Sequence, residues 1–184
     1  ITVIQFKLEA AIIDRRPEFE MANRKLLHMI DFERGVFCYD GSEYEMTDTF
    51  FPTIDPKNPY QLTPDEQELV EKIHISFINS EKLKKHMRCL FTYGGMYLVC
   101  NNNLLYHASI PMNADGSFKH VKIGEKEYWG EKLLAKSDQL IRTAYFGEEG
   151  EDKDYALDFV WYMWCGANSP LFDKDKMAAF ESYF

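Results

Sequence analysis

The sequence has 184 residues, enough for one ordinary domain, and at 46% hydrophobic and 15% aromatic it can bury a sizeable core, which sets disorder aside. A formal net charge of −9 and a pI near 5.1 are the wrong balance for a nucleic-acid binder, and no basic stripe offsets them. No run of 18 apolar residues is present, nor a signal-peptide pattern or an Asn-x-Ser/Thr sequon, so the chain reads as soluble and intracellular, with no membrane and no nucleic-acid partner expected.

In chain order, Ile4, Leu8, Ala11 and Ile12 fall on one face of a helix over 1–14, which Pro17 must end. A second helix is predicted over 18–30, with Phe19, Ala22, Leu26, Leu27 and Ile30 as its apolar stripe. Asp40-Gly41 then separates Val36–Tyr39 from Tyr44–Met46, a strong hairpin signal. Residues 47–62 hold Pro52, Pro56 and Pro59 and read as an irregular connector.

Thr63-Pro64-Asp65-Glu66 has the form of a capping box, and the helix after it should turn Leu69, Val70, Ile73 and Phe77 inward. Ser80 caps a further helix with Leu83, Met87, Leu90 and Phe91 inward, and Gly94-Gly95 stops it. Its basic residues, Lys82, Lys84, Lys85 and Arg88, suit a solvated face. Strands are expected over 96–100 and 104–109, joined through Asn101-Asn102-Asn103, and again over 118–123 after the Asp115-Gly116 turn. Two helices follow. One runs over about 131–146, turning in Leu133, Leu134, Leu140, Ile141 and Tyr145. The other, over about 153–165, is apolar nearly all round and therefore expected to be buried.

The elements are mixed α and β without regular βαβ alternation, an α+β class. Residues 1–93 form a mainly helical segment with one hairpin, and residues 94–184 carry the remaining strands. Cys38, Cys89, Cys100 and Cys165 each sit in an apolar run with no CxxC spacing, as small buried hydrophobes would.

Few residues carry chemistry. His28, His74 and His86 read as surface positions on helices. No HExxH, P-loop, GxGxxG or G-x-S-x-G is present. His107 closes the strand Leu104-Leu105-Tyr106, and rigid strand ends suit metal ligands, although from the residues alone a structural histidine is the better reading. The loop after Trp161–Cys165 carries Lys174 and Lys176, which could receive a phosphate or be ordinary solvated lysines. The same holds for Arg15 and Arg16.

Several stretches resemble the class III fructose-1,6-bisphosphatases of bacteria: IQFKLEAAIIDRRPEFEMANRKLL, SEKLKKHMRCL, YLVCNNNLLYHASIPMNADGSF and WYMWCGANSPLFDKDKMAAFESYF, in order and across essentially the whole chain. The resemblance implies part of a calcineurin-like metallophosphoesterase core, an α/β sandwich with a mainly helical insertion. It also implies a cytoplasmic, manganese-dependent enzyme of gluconeogenesis that converts fructose 1,6-bisphosphate to fructose 6-phosphate and phosphate at a two-metal site. Of that site's ligands it places one, His107, within the chain and the others before Ile1 and beyond Phe184, so no catalytic residue is expected here and the chain alone should be inactive. Lys174, Lys176, Arg15 and Arg16 are candidates for the sugar or its distal phosphate.

Two departures stand out: His107-Ala108-Ser109-Ile110-Pro111 where the family writes His-Gly-Cys-Ile-Pro, and Asp173 where it writes Gly before Lys174. The start at Ile1, within a helical pattern, and the lack of tail character at Phe184 also fit an internal piece. Its expected partners are a phosphorylated sugar and the rest of its own chain, with a homo-oligomer possible. The competing expectation is a non-enzymatic interaction or oligomerisation module built on the helical half.

Overall fold

A computed structural model describes residues 1–172. These fall into two compact units, 1–79 and 80–172.

The first unit opens with α1 (Thr2–Arg15), which buries Phe6, Lys7, Glu9, Ala10 and Ile13. The predicted face is therefore rotated: Leu8 is 42% exposed, while Ile4 and Ile12 are half-buried and Ala11 is exposed. Two apolar registers coexist along this helix, and the choice between them is made by Lys7. Its ammonium can be buried because Glu66 receives it at 2.7 Å.

The helix predicted over 18–30 is replaced by three short 3-10 turns, Pro17–Phe19, Ala22–Arg24 and Leu27–Met29. Glu20 adopts a left-handed backbone with φ 55°, which interrupts any continuous helix after Phe19. The irregular path buries Phe19, Met21, Leu26, Leu27 and Ile30, a set that no single helical face could present. Tertiary packing overrides local propensity here.

Ile30–Asp31 (β1), Val36–Tyr39 (β2) and Ser42–Glu45 (β3) make a three-stranded antiparallel sheet in the order β1-β2-β3. Asp40 and Gly41 form the two-residue turn, with φ 50° and 73°, as the sequence predicts. Phe6, Leu26, Leu27, Ile30, Phe37 and Met46 form the core, and Phe51, Ile54 and Tyr60 of the proline-rich connector pack onto it.

Helix α2 (Pro64–Ile78) starts at a complete capping box: Thr63 Oγ1 accepts from the Glu66 amide at 3.2 Å and Glu66 Oε2 accepts from the Thr63 amide at 2.9 Å. Its stripe is not buried as expected, since Leu69, Ile73 and Phe77 are 44%, 49% and 60% exposed.

The second unit begins with α3 (Glu81–Tyr93), capped by Ser80 Oγ at 3.3 Å from the Leu83 amide. None of its residues is fully buried, so the inward stripe expected of Leu83, Met87, Leu90 and Phe91 is at most half-covered. Gly94 ends it with an ordinary φ of −78°. A side chain there would meet the Leu90 carbonyl at 2.5 Å, so close approach and not a left-handed turn is what glycine supplies.

Tyr97–Cys100 (β4) and Asn103–Tyr106 (β5) form an antiparallel hairpin in the register Tyr97↔Tyr106, Leu98↔Leu105 and Val99↔Leu104. Asn101 and Asn102 turn it with φ 50° and 61°. The strand predicted over 104–109 therefore stops at Tyr106, leaving His107 and Ala108 in a bend. Val121–Ile123 (β6) and Lys126–Tyr128 (β7) make a second hairpin, whose β7 has no counterpart in the sequence reading.

Helices α4 (Gly130–Phe146) and α5 (Glu151–Cys165) pack together. Leu133, Leu134 and Leu140 are buried as predicted, with Ile141 half-buried and Tyr145 exposed. Helix α5 starts two residues earlier than predicted, and Glu151, Asp152 and Asp154 lie in its first turn, where negative charge complements the helix dipole. Against expectation α5 is not buried all round: Ala156, Phe159, Tyr162, Met163 and Cys165 face inward, but Trp164 is 70% exposed. Three of the four cysteines are exposed as well, with Cys165 the buried one, because Cys38, Cys89 and Cys100 sit on outward positions of their elements.

The fold is α+β. Among the described residues its strands form three separate antiparallel sheets of three, two and two strands.

Candidate functional site

His107 follows β5 directly, so its backbone is set by the hairpin. The Tyr97↔Tyr106 pair is the last rung before it. Beyond the bend, the Ser109 amide donates to the Pro170 carbonyl at 3.2 Å, tying the far side of the turn to the segment that follows α5. Ala108 takes no left-handed conformation, so its methyl meets no backbone penalty. The imidazole is exposed, and neither ring nitrogen makes a hydrogen bond among the described residues. None of them supplies the hydrogen-bond acceptor that would orient a ligating histidine through its other ring nitrogen.

His107 stands at the rim of a cavity of about 580 Å³ in the second unit. Its walls are apolar, with Leu90, Phe91, Met96, Met163, Trp164 and Phe172 prominent, and its charged members are Asp138 and Arg142. On α4, Arg142 Nε donates to Asp138 Oδ2 at 2.7 Å, one helical turn away. One terminal nitrogen donates to the Gly94 carbonyl at 2.7 Å and the other to the Phe91 carbonyl. The guanidinium thus satisfies two carbonyls that the end of α3 leaves without helical partners. Near the other end of α4, Tyr97 Oη donates to Glu131 Oε1 at 2.8 Å. That hydrogen bond to a carboxylate, with the negative charge beside it, raises the phenol above its ordinary pKa.

The predicted anion-binding residues fall in different parts of the chain. Arg15 and Arg16 close α1 in the first unit, and each has an interaction partner. Lys174 and Lys176 lie outside the described residues. His28, His74 and His86 are exposed, as the sequence suggests, and His28 Nδ1 lies 2.9 Å from Tyr60 Oη. His120 stacks on Trp129 with ring centroids 4.3 Å apart.

Among the described residues no group of three or more His, Cys, Asp or Glu side chains could hold a metal ion. His107, with both nitrogens open, fits one position of such a centre and no more. The sequence reading missed Asp138 and Arg142 altogether. Their i,i+4 spacing was visible, but the carbonyls they serve, about fifty residues earlier, were not.

Comparison with known proteins places these features in context. The family model described as Firmicute fructose-1,6-bisphosphatase matches residues 1–184. A protein of Bacteroides thetaiotaomicron named fructose-1,6-bisphosphatase class 3 is 76% identical over the whole chain, which spans 28% of that protein. Proteins of the same name from Bacteroides fragilis and Phocaeicola vulgatus are 72% and 61% identical, again over all of this chain and 28% of theirs. No solved structure matches.

Proposed function

Because the chain belongs to the Firmicute fructose-1,6-bisphosphatase family, we propose that it is part of an enzyme that hydrolyses fructose 1,6-bisphosphate to fructose 6-phosphate and phosphate. The observation that carries this is a match to the family model along the entire chain. The chain spans about 28% of the length of its curated relatives, so the reaction belongs to the longer protein. Among the described residues no helix is long and apolar enough to cross a membrane. The proposal carries with it a cytoplasmic place in sugar metabolism, in the direction of gluconeogenesis.

In this reading His107 supplies one ligand of a two-manganese centre, and the remaining ligands come from parts of the protein outside the described residues. Bound there, two divalent ions would lower the pKa of an attacking water and neutralise charge on the phosphoryl oxygens. The contribution of the present residues is positional. A β-hairpin delivers the imidazole to an exposed turn, beside apolar residues of the cavity and with no hydrogen bond to its ring nitrogens among the described residues.

The β4–β5 hairpin supports a place in a larger metallophosphoesterase sandwich. It is apolar on both faces, with Leu98 60% and Val99 61% exposed, and a two-stranded ribbon of that kind is marginal in water by itself. Lys174, Lys176, Arg15 and Arg16 stay candidates for the distal phosphate. Phosphate release by the full-length protein tests the reading: His107→Ala should abolish manganese-dependent turnover while thermal melting is retained, and unchanged turnover would refute the ligand role.

The exposed stripe of α2 favours a second role beside the first, in which Leu69, Ile73 and Phe77 dock on the rest of the polypeptide or on a second subunit. Light scattering of the full-length protein across concentration separates the two, since only a subunit contact dissociates on dilution.

A further inference from the structure

We propose that Arg142, oriented by Asp138, is a positioning residue for His107; the inference rests on the functional reading of His107 given above. Arg142 lines the same cavity as His107, yet its donors are directed at protein groups: the Asp138 carboxylate, the Phe91 carbonyl and the Gly94 carbonyl. A guanidinium so engaged is poorly placed to bind a substrate phosphate and well placed to fix a backbone junction.

The junction it fixes is the entry to the hairpin. Gly94 lies three residues before Tyr97, and Tyr97 pairs with Tyr106, the residue preceding His107. Helix α4 therefore holds the root of β4 at two points, through Arg142 at Gly94 and through Glu131 at the Tyr97 hydroxyl. The Ser109 amide on Pro170 holds the turn from the other side. Releasing the Arg142 fork frees one of these anchors, and His107 shifts with the ribbon that carries it.

The test uses the full-length enzyme with Arg142→Met, Arg142→Lys, His107→Ala and, as a stability reference from the other unit, Leu27→Ala. Manganese binding without substrate is followed by electron paramagnetic resonance of the free ion, and kcat and KM by phosphate release. Misplacing a ligand by about 1 Å can cost on the order of 100-fold in rate, and loss of a ligand's support typically costs about 10- to 100-fold in metal affinity.

Arg142→Met is expected to lower both kcat and manganese affinity at least about tenfold with KM nearly constant. Arg142→Lys should recover part of each and covers the case in which the methionine variant fails to fold. Leu27→Ala should lower the melting temperature without changing kcat. The inference is overturned if the Arg142 variants bind manganese and turn over normally, if KM alone rises, or if Leu27→Ala loses kcat to the same degree. If His107→Ala is itself fully active, the reading of His107 fails, and this outcome differs from a failure confined to Arg142.

Discussion

Lys7 Nζ lies 2.7 Å from Glu66 Oε2, fifty-nine positions away in sequence, and both side chains are withdrawn from solvent. The same ammonium donates to the Thr53 carbonyl at 2.6 Å, and the same carboxylate oxygen accepts the Thr63 amide at 2.9 Å. One ion pair thus joins α1, the proline-rich connector and the start of α2. Removing one partner leaves the other charge buried and unpaired, which costs about 3–5 kcal/mol. Lys7→Met is expected to lower stability by about that amount in denaturant melts, and Lys7→Met with Glu66→Leu by clearly less. A loss in the double variant equal to the sum of the losses of Lys7→Met and Glu66→Leu alone would show that the pair is not coupled.

The same carboxylate sets a pH dependence. Burial pushes the Glu66 pKa up, but hydrogen bonds involving Lys7, Thr53 and the Thr63 amide outweigh it and hold the group below the ordinary glutamate value. A group whose folded pKa is depressed contributes stability that is fully present above its unfolded pKa and is lost as the pH falls through the folded one. Melts from neutral to acid pH should therefore show a loss of stability beginning near the ordinary glutamate value, and Glu66→Gln should flatten that part of the profile.

The hairpin turn gives a prediction that depends on backbone alone. Asn101 and Asn102 both carry positive φ, the pattern of a two-residue turn matched to strand twist. A β-branched residue in the left-handed region costs roughly 1–2 kcal/mol, so Asn101→Val should destabilise the second unit by about that much. Asn102→Gly should be neutral or slightly stabilising. Hydrogen-exchange protection of the Leu98 and Leu105 amides reports both effects.

That turn, the Asp40-Gly41 turn and the Thr63–Glu66 capping box were legible in the sequence because each is decided within four residues. Features decided at long range were not. The rotation of α1 hangs on Glu66. The 3-10 path over 17–29 serves a core assembled from β1, β2 and Met46. The clamp of Arg142 uses carbonyls on a different helix. Of the candidate site, the strand-end placement of His107 could be read in advance, whereas its surroundings could not, because apolar residues such as Leu90 and Trp164 carry no mark of which cavity they line.

The two faces of the β4–β5 hairpin provide a sharper check on the larger sandwich. Leu98 and Leu105 share one face and Val99 and Leu104 the other, and all four are between 45% and 61% exposed. If these faces were open in the full-length enzyme, Leu105→Lys and Leu104→Lys would each change stability by no more than about 0.5 kcal/mol. If layers of the longer protein cover both, each lysine must enter an apolar contact without a partner, at a cost of roughly 2 kcal/mol or more. Both substitutions are expected to be costly in the full-length protein, with turnover falling in parallel because His107 directly follows that strand. A loss on one face alone would place the hairpin at the surface of a sheet covered on a single side, and a loss on neither would remove the hairpin from any sandwich core.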